Sequence, residues 1–288
     1  MPFSPLASPS ATIDVLVRHG LATRKRLGQH FLVDDNVVGR ILRLADLHGP
    51  EHVLEIGPGI GTLTWALAQS ARSVVSVERD ERLRPALEEV VRACPNVRVV
   101  FADALDVVPD ALRDEDGAMP SALVANLPYS VAATLVLRCF ERMADLGAAT
   151  VMVQAEVADR MAAAPGSKQY GAYTVKLALQ ASVAGRFPVS RECFLPPPRV
   201  DSAVVRLERT RERSARDVEV GSAAADAAFS QRRKTVRNAI ASALGVKPDD
   251  VGQVLLEEGL DPQRRAEEFA PAEYVRMGHA LSRNGLLP

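Results

Sequence analysis

The chain of 288 residues is long enough for one large and one small domain. Its apolar fraction of 47% and charged fraction of 25% are typical of a soluble globular protein. It contains no run of about 18 apolar residues, which argues against a membrane span, and its three dispersed cysteines argue for a reducing cytoplasm. The net charge of −1 argues weakly against a nucleic-acid partner, but residues 184–240 carry twelve Arg and Lys against seven Asp and Glu, a net of +5. The histidines and cysteines form no metal-ligand pattern, so we expect no metal.

The predicted elements begin with an N-terminal segment, residues 1–20, that combines a loose tail with a first helix. Residues 1–10 are rich in Pro and Ser and have neither the basic nor the apolar region of a signal peptide. Residues 34–47 carry apolar side chains at helical spacing after an acidic start, which predicts a helix.

Strand-like and helix-like segments then alternate. Strands are predicted at 52–56, 73–77, 97–101, 123–125 and 149–154, and helices at about 62–70, 80–92 and 132–143. This alternation predicts an α/β domain in which a mostly parallel, Rossmann-like sheet carries helices on both faces.

Four signals fall at the predicted strand ends: the turn Gly57-Pro-Gly-Ile-Gly61, Glu78, Asp103 and Asn126. Ligands of such sheets bind beyond the carboxyl ends of the strands, so these residues predict one shared site. A dinucleotide fingerprint would place the third glycine one residue later, whereas Gly-x-Gly-x-Gly is the pattern of methyltransferases that bind S-adenosylmethionine. Glu78 can then accept hydrogen bonds from ribose hydroxyls, and Asp103 from the adenine amine. For either carboxylate alone, capping of the next helix is an equally good interpretation.

The tetrad Asn126-Leu127-Pro128-Tyr129 indicates that this site acts on a planar base. The Asn126 oxygen can accept a hydrogen bond from an exocyclic N–H, and Tyr129 can stack on the ring. Pro128 fixes its own φ and biases the preceding residues toward extended geometry, which presents these groups rigidly. Taken alone, the tetrad is interpreted equally well as an ordinary strand-to-helix turn.

The pattern changes after Pro188. Residues 194–198 form a predicted rigid, extended proline loop, and residues 200–207 alternate like a strand. Beyond a charged linker only helical periodicity remains. We therefore predict a sheet-containing domain at 21–210 and a small all-α domain at 211–288.

Five segments carry a resemblance to a known family. They are Leu27–Leu32 (LGQHFL), the Gly57 turn, the Asn126 tetrad, Phe194–Leu207 (FLPPPRVDSAVVRL) and Phe229–Asn238 (FSQRRKTVRN). In this order they resemble the rRNA adenine N6-dimethyltransferases, and within them the bacterial small-subunit (16S) enzymes of the KsgA/RsmA family. The last segment and Leu127 are more similar to the small-subunit enzymes than to the large-subunit resistance methylases.

The resemblance implies S-adenosylmethionine as cofactor, S-adenosylhomocysteine as product, and no metal. The implied cofactor-binding positions are His30, Leu32, Gly57, Gly59, Glu78, Asp103 and Asn126. The implied catalytic residues are Asn126, Leu127, Pro128, Tyr129 and Phe194, with Tyr129 and Phe194 stacking on the base. His30 departs from the family, which usually has Asn there. Its side chain can still donate a hydrogen bond, or the contact can be a backbone one that is indifferent to the side chain.

The implied function is dimethylation of the N6 amines of two adjacent adenines in a small-subunit rRNA hairpin loop during ribosome assembly. The protein is expected to be a cytoplasmic monomer that acts on an immature subunit and to recognise RNA through its C-terminal domain. RNA contacts are expected from Arg24, Lys25 and Arg26, and from Arg232, Arg233, Lys234 and Arg237 on a predicted helix. A solvated charged face is the simpler interpretation of a lone charge run. Two alternatives remain: a large-subunit rRNA methylase conferring antibiotic resistance, and a non-catalytic assembly or transcription factor of the same fold.

Overall fold

The computed structural model describes residues 2–21 and 29–287. The contacts between residues divide the chain into two compact units. The sheet unit comprises residues 1–158 and 183–208, and the helical unit comprises residues 159–182 and 209–288.

A seven-stranded sheet forms the centre of the sheet unit. The strands described in the chain are β1 (Phe31–Leu32), β2 (His52–Ile56), β3 (Ser73–Glu78), β4 (Val97–Phe101), β5 (Ala122–Asn126), β6 (Ala148–Gln154), β7 (Ala181–Val189), β8 (Phe194–Leu195) and β9 (Ser202–Arg209). The sheet order is β4-β3-β2-β5-β6-β9-β7. The pairs from β4 to β6 are parallel, and β9 runs antiparallel to β6. The short strands β1 and β8 pair with each other.

Helices cover both faces of this sheet. The described helices are α1 (Pro9–Arg18), α2 (Asp35–Ala45), α3 (Thr62–Ala68), α4 (Arg84–Ala93), α5 (Ala132–Arg142), α6 (Ala155–Met161), α7 (Ala172–Ala178), α8 (Ala215–Phe229), α9 (Val236–Leu244), α10 (Pro248–Glu257) and α11 (Pro271–Arg283). Successive side chains of a strand point to opposite faces. Val53 and Val74 pack with residues of α2 and α3, whereas Leu54, Val77 and residues of α5 surround a small apolar cavity on the other side. The predicted fold class is therefore confirmed.

The described N-terminal residues pack against α2 instead of forming the predicted loose tail. The N–H groups of Phe3 and Ser4 donate to the Asp35 carboxylate over 3.0 and 2.9 Å, and Ser4 and Ala7 are buried. Composition could not predict this anchoring, because the carboxylate that holds the segment lies far away in the sequence.

The helical unit has its own apolar core, built from α7 to α11. Tyr170, Val175 and Leu179 are buried in that core beside residues of the C-terminal helices. This burial places residues 159–182 in the helical unit, although the boundary predicted at residue 210 would put them in the sheet-containing domain. None of the described helices is long and apolar enough to cross a membrane.

Candidate active site

Four strand ends meet side by side at one edge of the sheet, in the order β4, β3, β2, β5. Asp103, Glu78, Gly57 and Asn126 lie at or just beyond these ends, so the fold brings the four predicted signals together. The chain order reverses between β2 and β5, which is where ligands bind in open α/β sheets.

The sheet opens at this reversal point. β2 and β5 pair at Val53 with Ala122 and at Leu54 with Leu123, whereas β2 and β3 pair along all five residues of β2. A cavity of about 180 Å³ lies beyond the last β2–β5 pair. Its lining includes all seven predicted cofactor positions and the whole tetrad: His30, Leu32, Gly57, Gly59, Glu78, Asp103 and Asn126 to Tyr129.

The glycine turn that lines the cavity has a backbone geometry that requires glycine. Gly57 and Gly59 have φ values of +74° and +63°, a region in which a side chain is costly. A Cβ on Gly59 would lie 3.2 Å from the Phe31 ring, and a Cβ on Gly57 would lie 3.5 Å from Pro128. Any larger residue would strain this turn and fill part of the cavity edge.

Glu78 is oriented by three backbone N–H groups. Its Oε1 accepts from Arg79 and Asp80 at 2.8 Å each, and its Oε2 accepts from Gly59 at 3.2 Å. Burial raises the pKa of Glu78, and these three hydrogen bonds oppose the rise. Because a carboxylate has about four acceptor positions, the fixed group can accept further bonds from ligand hydroxyls.

Asp103 both shapes its own turn and faces the cavity. Oδ1 accepts from the Leu105 N–H at 3.0 Å, and Oδ2 lies 3.2 Å from Arg79 Nη1. The Leu105 bond is a local contact of the kind that the capping interpretation expects. Because Asp103 also lines the cavity, the turn contact and a ligand contact are compatible.

Glu55 is a cavity residue that the sequence reasoning did not single out. Its side chain is buried at 1% exposure, and Oε2 accepts hydrogen bonds from Thr64 Oγ1 at 2.6 Å and Ser76 Oγ at 2.7 Å. Burial raises its pKa to about 7, against the effect of the two hydroxyls, and the neighbouring Glu78 adds to the rise. A charged residue inside the apolar run of β2, two positions before Gly57, was the signal available in the sequence.

Asn126 has a defined amide orientation. Its Nδ2 donates to the His30 carbonyl at 3.4 Å. Since a carbonyl can only accept, the amide nitrogen must face it, and Oδ1 remains the acceptor of the group. Leu127 follows with a buried side chain and an N–H that donates to the Met152 carbonyl, which keeps the tetrad at the edge of the sheet.

Tyr129 is half-buried and held at both ends of its side chain. Its hydroxyl shares a 2.6 Å hydrogen bond with Ser202 Oγ. Its ring lies 5.8 Å from the His30 ring at an interplanar angle of 23°. Burial raises the pKa of the phenol, so Tyr129 is neutral over the physiological range.

Phe194 lies in the apolar core and not in the cavity. It pairs with Leu32 across β8 and β1, and its side chain is 3% exposed within an apolar cluster that also contains residues of α2 and α3. It does not line the cavity. Stacking of Phe194 on a base would require the ring to leave this cluster, so its catalytic role stays a prediction.

The predicted RNA-binding side chains divide into two groups. Arg24, Lys25 and Arg26 lie outside the described residues. Arg232, Arg233 and Lys234 form a turn between α8 and α9, not the predicted helix, because α8 ends at Phe229 and α9 begins at Val236. Arg237 lies in α9, 3.6 Å from Asp249.

Comparisons with known proteins identify the family of the chain. Residues 20–282 match the ribosomal RNA adenine dimethylases. The chain belongs to that family. A ribosomal RNA small subunit methyltransferase A from Pelotomaculum thermopropionicum is 42% identical to it over 96% of this chain and 97% of the relative. The protein of the same name from Geobacillus thermodenitrificans is 38% identical over 96% and 97%. The predicted family is therefore confirmed.

Solved structures share the fold. A dimethyladenosine transferase from Plasmodium falciparum superposes with a TM-score of 0.77 at 22% identity, covering 89% of this chain and 98% of the other. The 23S rRNA methyltransferase ErmE gives 0.64 at 28% identity, covering 88% and 99%. Within the described residues, no group of three or more His, Cys, Asp or Glu side chains is arranged to hold a metal ion.

Proposed function

We propose that this protein dimethylates the N6 amines of two adjacent adenines in a small-subunit rRNA hairpin loop, with S-adenosylmethionine as methyl donor, during ribosome assembly. The observation that carries the proposal is the cavity at the reversal point of the sheet, where the glycine turn and the acidic strand ends meet the Asn126 tetrad. Relatives at 38–42% identity bear the name ribosomal RNA small subunit methyltransferase A, which supports the choice of subunit.

The lining of the cavity fits S-adenosylmethionine. Gly57 and Gly59 line the cavity and carry no side chain, so a ligand can approach the backbone of this turn. Glu78 would accept from the ribose hydroxyls and Asp103 from the adenine amine. When bound, the cofactor supplies a methyl group on a cationic sulfur. The buried Glu55 and Glu78 carboxylates favour a ligand that carries positive charge.

Asn126 and Tyr129 would act on the target adenine. The N6 lone pair is delocalised into the ring, which makes the amine a poor nucleophile. Asn126 Oδ1 and the Leu127 carbonyl would accept hydrogen bonds from the two N–H groups of this amine. These bonds favour a pyramidal amine with a localised lone pair. Tyr129 stacks on the base, which must be unpaired or flipped to enter. Orientation of this kind can supply roughly 7–11 kcal/mol of the barrier reduction.

The turn between α8 and α9 would contact rRNA phosphates. Arg233 and Lys234 are exposed there, and the Arg232 guanidinium donates to the carbonyls of Lys168 and Tyr170. This contact brings the backbone of the exposed Lys168 next to the turn, so two separate segments of the helical unit that carry basic residues lie beside each other. Such a surface suits the RNA backbone, whose recognition depends on neutralising phosphates.

The substrate is an immature small subunit, and the enzyme acts as a cytoplasmic monomer. Two observations are in keeping with the substrate and the compartment in this proposal. Relatives carry small-subunit names, and the three cysteines are free thiols, as a reducing compartment would keep them.

The deciding experiment supplies the purified chain with methyl-labelled S-adenosylmethionine and either immature small subunits or large subunits. We expect label in small subunits alone, at two neighbouring adenines, with mapping by reverse-transcriptase stops. Label in large subunits alone would support the resistance methylase. Absence of label in both, with S-adenosylhomocysteine still bound in calorimetry, would support a non-catalytic factor.

A further inference from the structure

His30 lines the cavity and connects it to a segment that is distant in sequence. Its Nδ1 lies 2.7 Å from the Pro196 carbonyl. Because a carbonyl only accepts, Nδ1 must carry the hydrogen, and this bond fixes the ring orientation. The Pro196 loop is thereby tied to the segment that precedes β1.

The same imidazole ring stacks against Tyr129 with an offset. The two ring centroids are 5.8 Å apart and the ring planes meet at 23°, an arrangement that aromatic pairs prefer. The Tyr129 hydroxyl is bonded to Ser202, so the phenol is fixed at its tip by Ser202 and on its face by His30. An Asn at position 30 could donate a hydrogen bond but has no ring to stack on Tyr129.

We propose that the His30 side chain is a positioning residue for the target base, which acts through Tyr129, and not a side-chain ligand of the cofactor. The inference rests on the proposed function, because it assigns Tyr129 to the adenine. The His30 backbone serves a separate purpose: its carbonyl accepts from Asn126 and needs no particular side chain. A substitution that removes the imidazole ring should therefore lower kcat/KM for rRNA and leave the cofactor affinity unchanged.

A double-mutant cycle tests this coupling. We expect His30→Ala to lower kcat/KM for rRNA about tenfold, and Tyr129→Ala to lower it further. The double variant should be no worse than Tyr129→Ala, since a residue that acts through another loses its effect when that residue is gone. Independent, multiplying losses would overturn the inference.

Binding measurements separate the base site from the cofactor site. The affinity for S-adenosylhomocysteine, measured by calorimetry without RNA, should change less than about twofold in His30→Ala. Retained binding also shows that the variant is folded. A tenfold loss of this affinity with an unchanged KM for rRNA would instead make His30 a cofactor ligand.

Two replacements separate the ring from its hydrogen bond. His30→Phe keeps a ring and loses the donor, whereas His30→Asn keeps a donor and loses the ring. We expect His30→Phe to retain more of the rRNA kcat/KM than His30→Asn, and the opposite order would contradict a role through stacking. His48→Ala, at a ring whose side chain is 72% exposed, is the matched control and should match the wild type.

A spectroscopic measurement keeps this inference separate from the proposed function. Long-range ¹H–¹⁵N spectra of the unmodified chain should show His30 with its hydrogen on Nδ1, and its ring signals should shift in Tyr129→Leu. A hydrogen on Nε2 alone, or unshifted signals, would overturn the contact even if rRNA is methylated. A chain that shows both features but methylates no rRNA would overturn the proposed function instead.

Discussion

Asn126 holds its side-chain amide in one orientation, which is the orientation that the proposed contact with the target amine requires. Its Nδ2 donates to the His30 carbonyl, which fixes the amide in one orientation and leaves Oδ1 as the available acceptor. A group that contacts the amine mainly as it becomes pyramidal contributes to the transition state more than to binding.

The first prediction concerns this residue. Asn126→Ala should lower kcat about a hundredfold, similar to the loss of one hydrogen-bonding group that acts on the transition state, while RNA affinity changes little. Single-turnover methylation and filter binding would measure the two effects. Asn36→Ala, at an exposed position of α2, is the control. Near-normal turnover in Asn126→Ala would refute the amine-acceptor role.

The second prediction concerns the pH dependence of stability at Glu55. Its pKa is about 7 in the fold, against 4.5 as the ordinary value. Between these values the folded chain holds a proton that the unfolded chain has lost, so the contribution of Glu55 to stability falls as pH rises from 4.5 to 7. Glu55→Gln should therefore stabilise the fold by up to about 3 kcal/mol at pH 8, relative to its effect at pH 4.

Urea unfolding followed by the fluorescence of Trp65 would measure this difference. Glu88→Gln, at an exposed glutamate, should show no comparable pH dependence. If the free energy of unfolding changed equally between pH 4 and pH 8 in both variants, the assignment to Glu55 would be wrong.

The ionised form of Glu55 favours a cationic ligand. We therefore also expect cofactor affinity to rise with pH through about 7 in the wild type and not in Glu55→Gln.

At the scale of elements, close helix packing depends on a glycine that periodicity did not reveal. A Cβ on Gly278 of α11 would lie 2.3 Å from the carbonyl oxygen of Val220 in α8. Backbone cannot move aside as a flexible side chain can, so α8 and α11 would have to separate.

The third prediction follows from this close approach. Gly278→Ala should destabilise the chain by about 1–3 kcal/mol or more, the usual cost of overpacking. Gly252→Ala in α10 is the matched control, because its Cβ would meet Arg237 at an ordinary 3.7 Å. Alanine there should stabilise the helix by about 0.5–1 kcal/mol. Thermal unfolding of both variants would show the contrast, and equal melting temperatures would contradict it.

At the scale of the whole molecule, the near-zero net charge conceals a local excess of positive charge. The chain carries 35 Lys and Arg against 36 Asp and Glu, yet the turn between α8 and α9 exposes three consecutive basic side chains. Local charge, not net charge, determines attraction to a polyanion over the short range that salt permits.

The fourth prediction concerns RNA binding by this turn. Arg233→Gln with Lys234→Gln should weaken rRNA binding and lower the slope of log K against log salt by up to about 1.5, because two phosphates would no longer be neutralised. Arg232 is left intact, because it holds the loop at Lys168 and Tyr170. The pair Arg211→Gln and Lys247→Gln removes the same charge elsewhere. An unchanged slope in the first pair would exclude the turn from the RNA interface.

The sequence by itself determined the parallel sheet, the glycine turn and the strand-end positions of Glu78, Asp103 and Asn126. These features depend on local rules: strand periodicity, the freedom of glycine, and the common edge at which parallel strands end. The family resemblance added the expectation of S-adenosylmethionine as methyl donor and of rRNA as substrate.

Only the tertiary structure decided which distant residues meet. It placed Phe194 in the core, joined His30 to Tyr129 and Pro196, and buried Glu55 among hydroxyls from two other elements. It also moved residues 159–182 into the helical unit. Each of these outcomes depends on burial and on contacts between residues far apart in the chain, which no local pattern specifies.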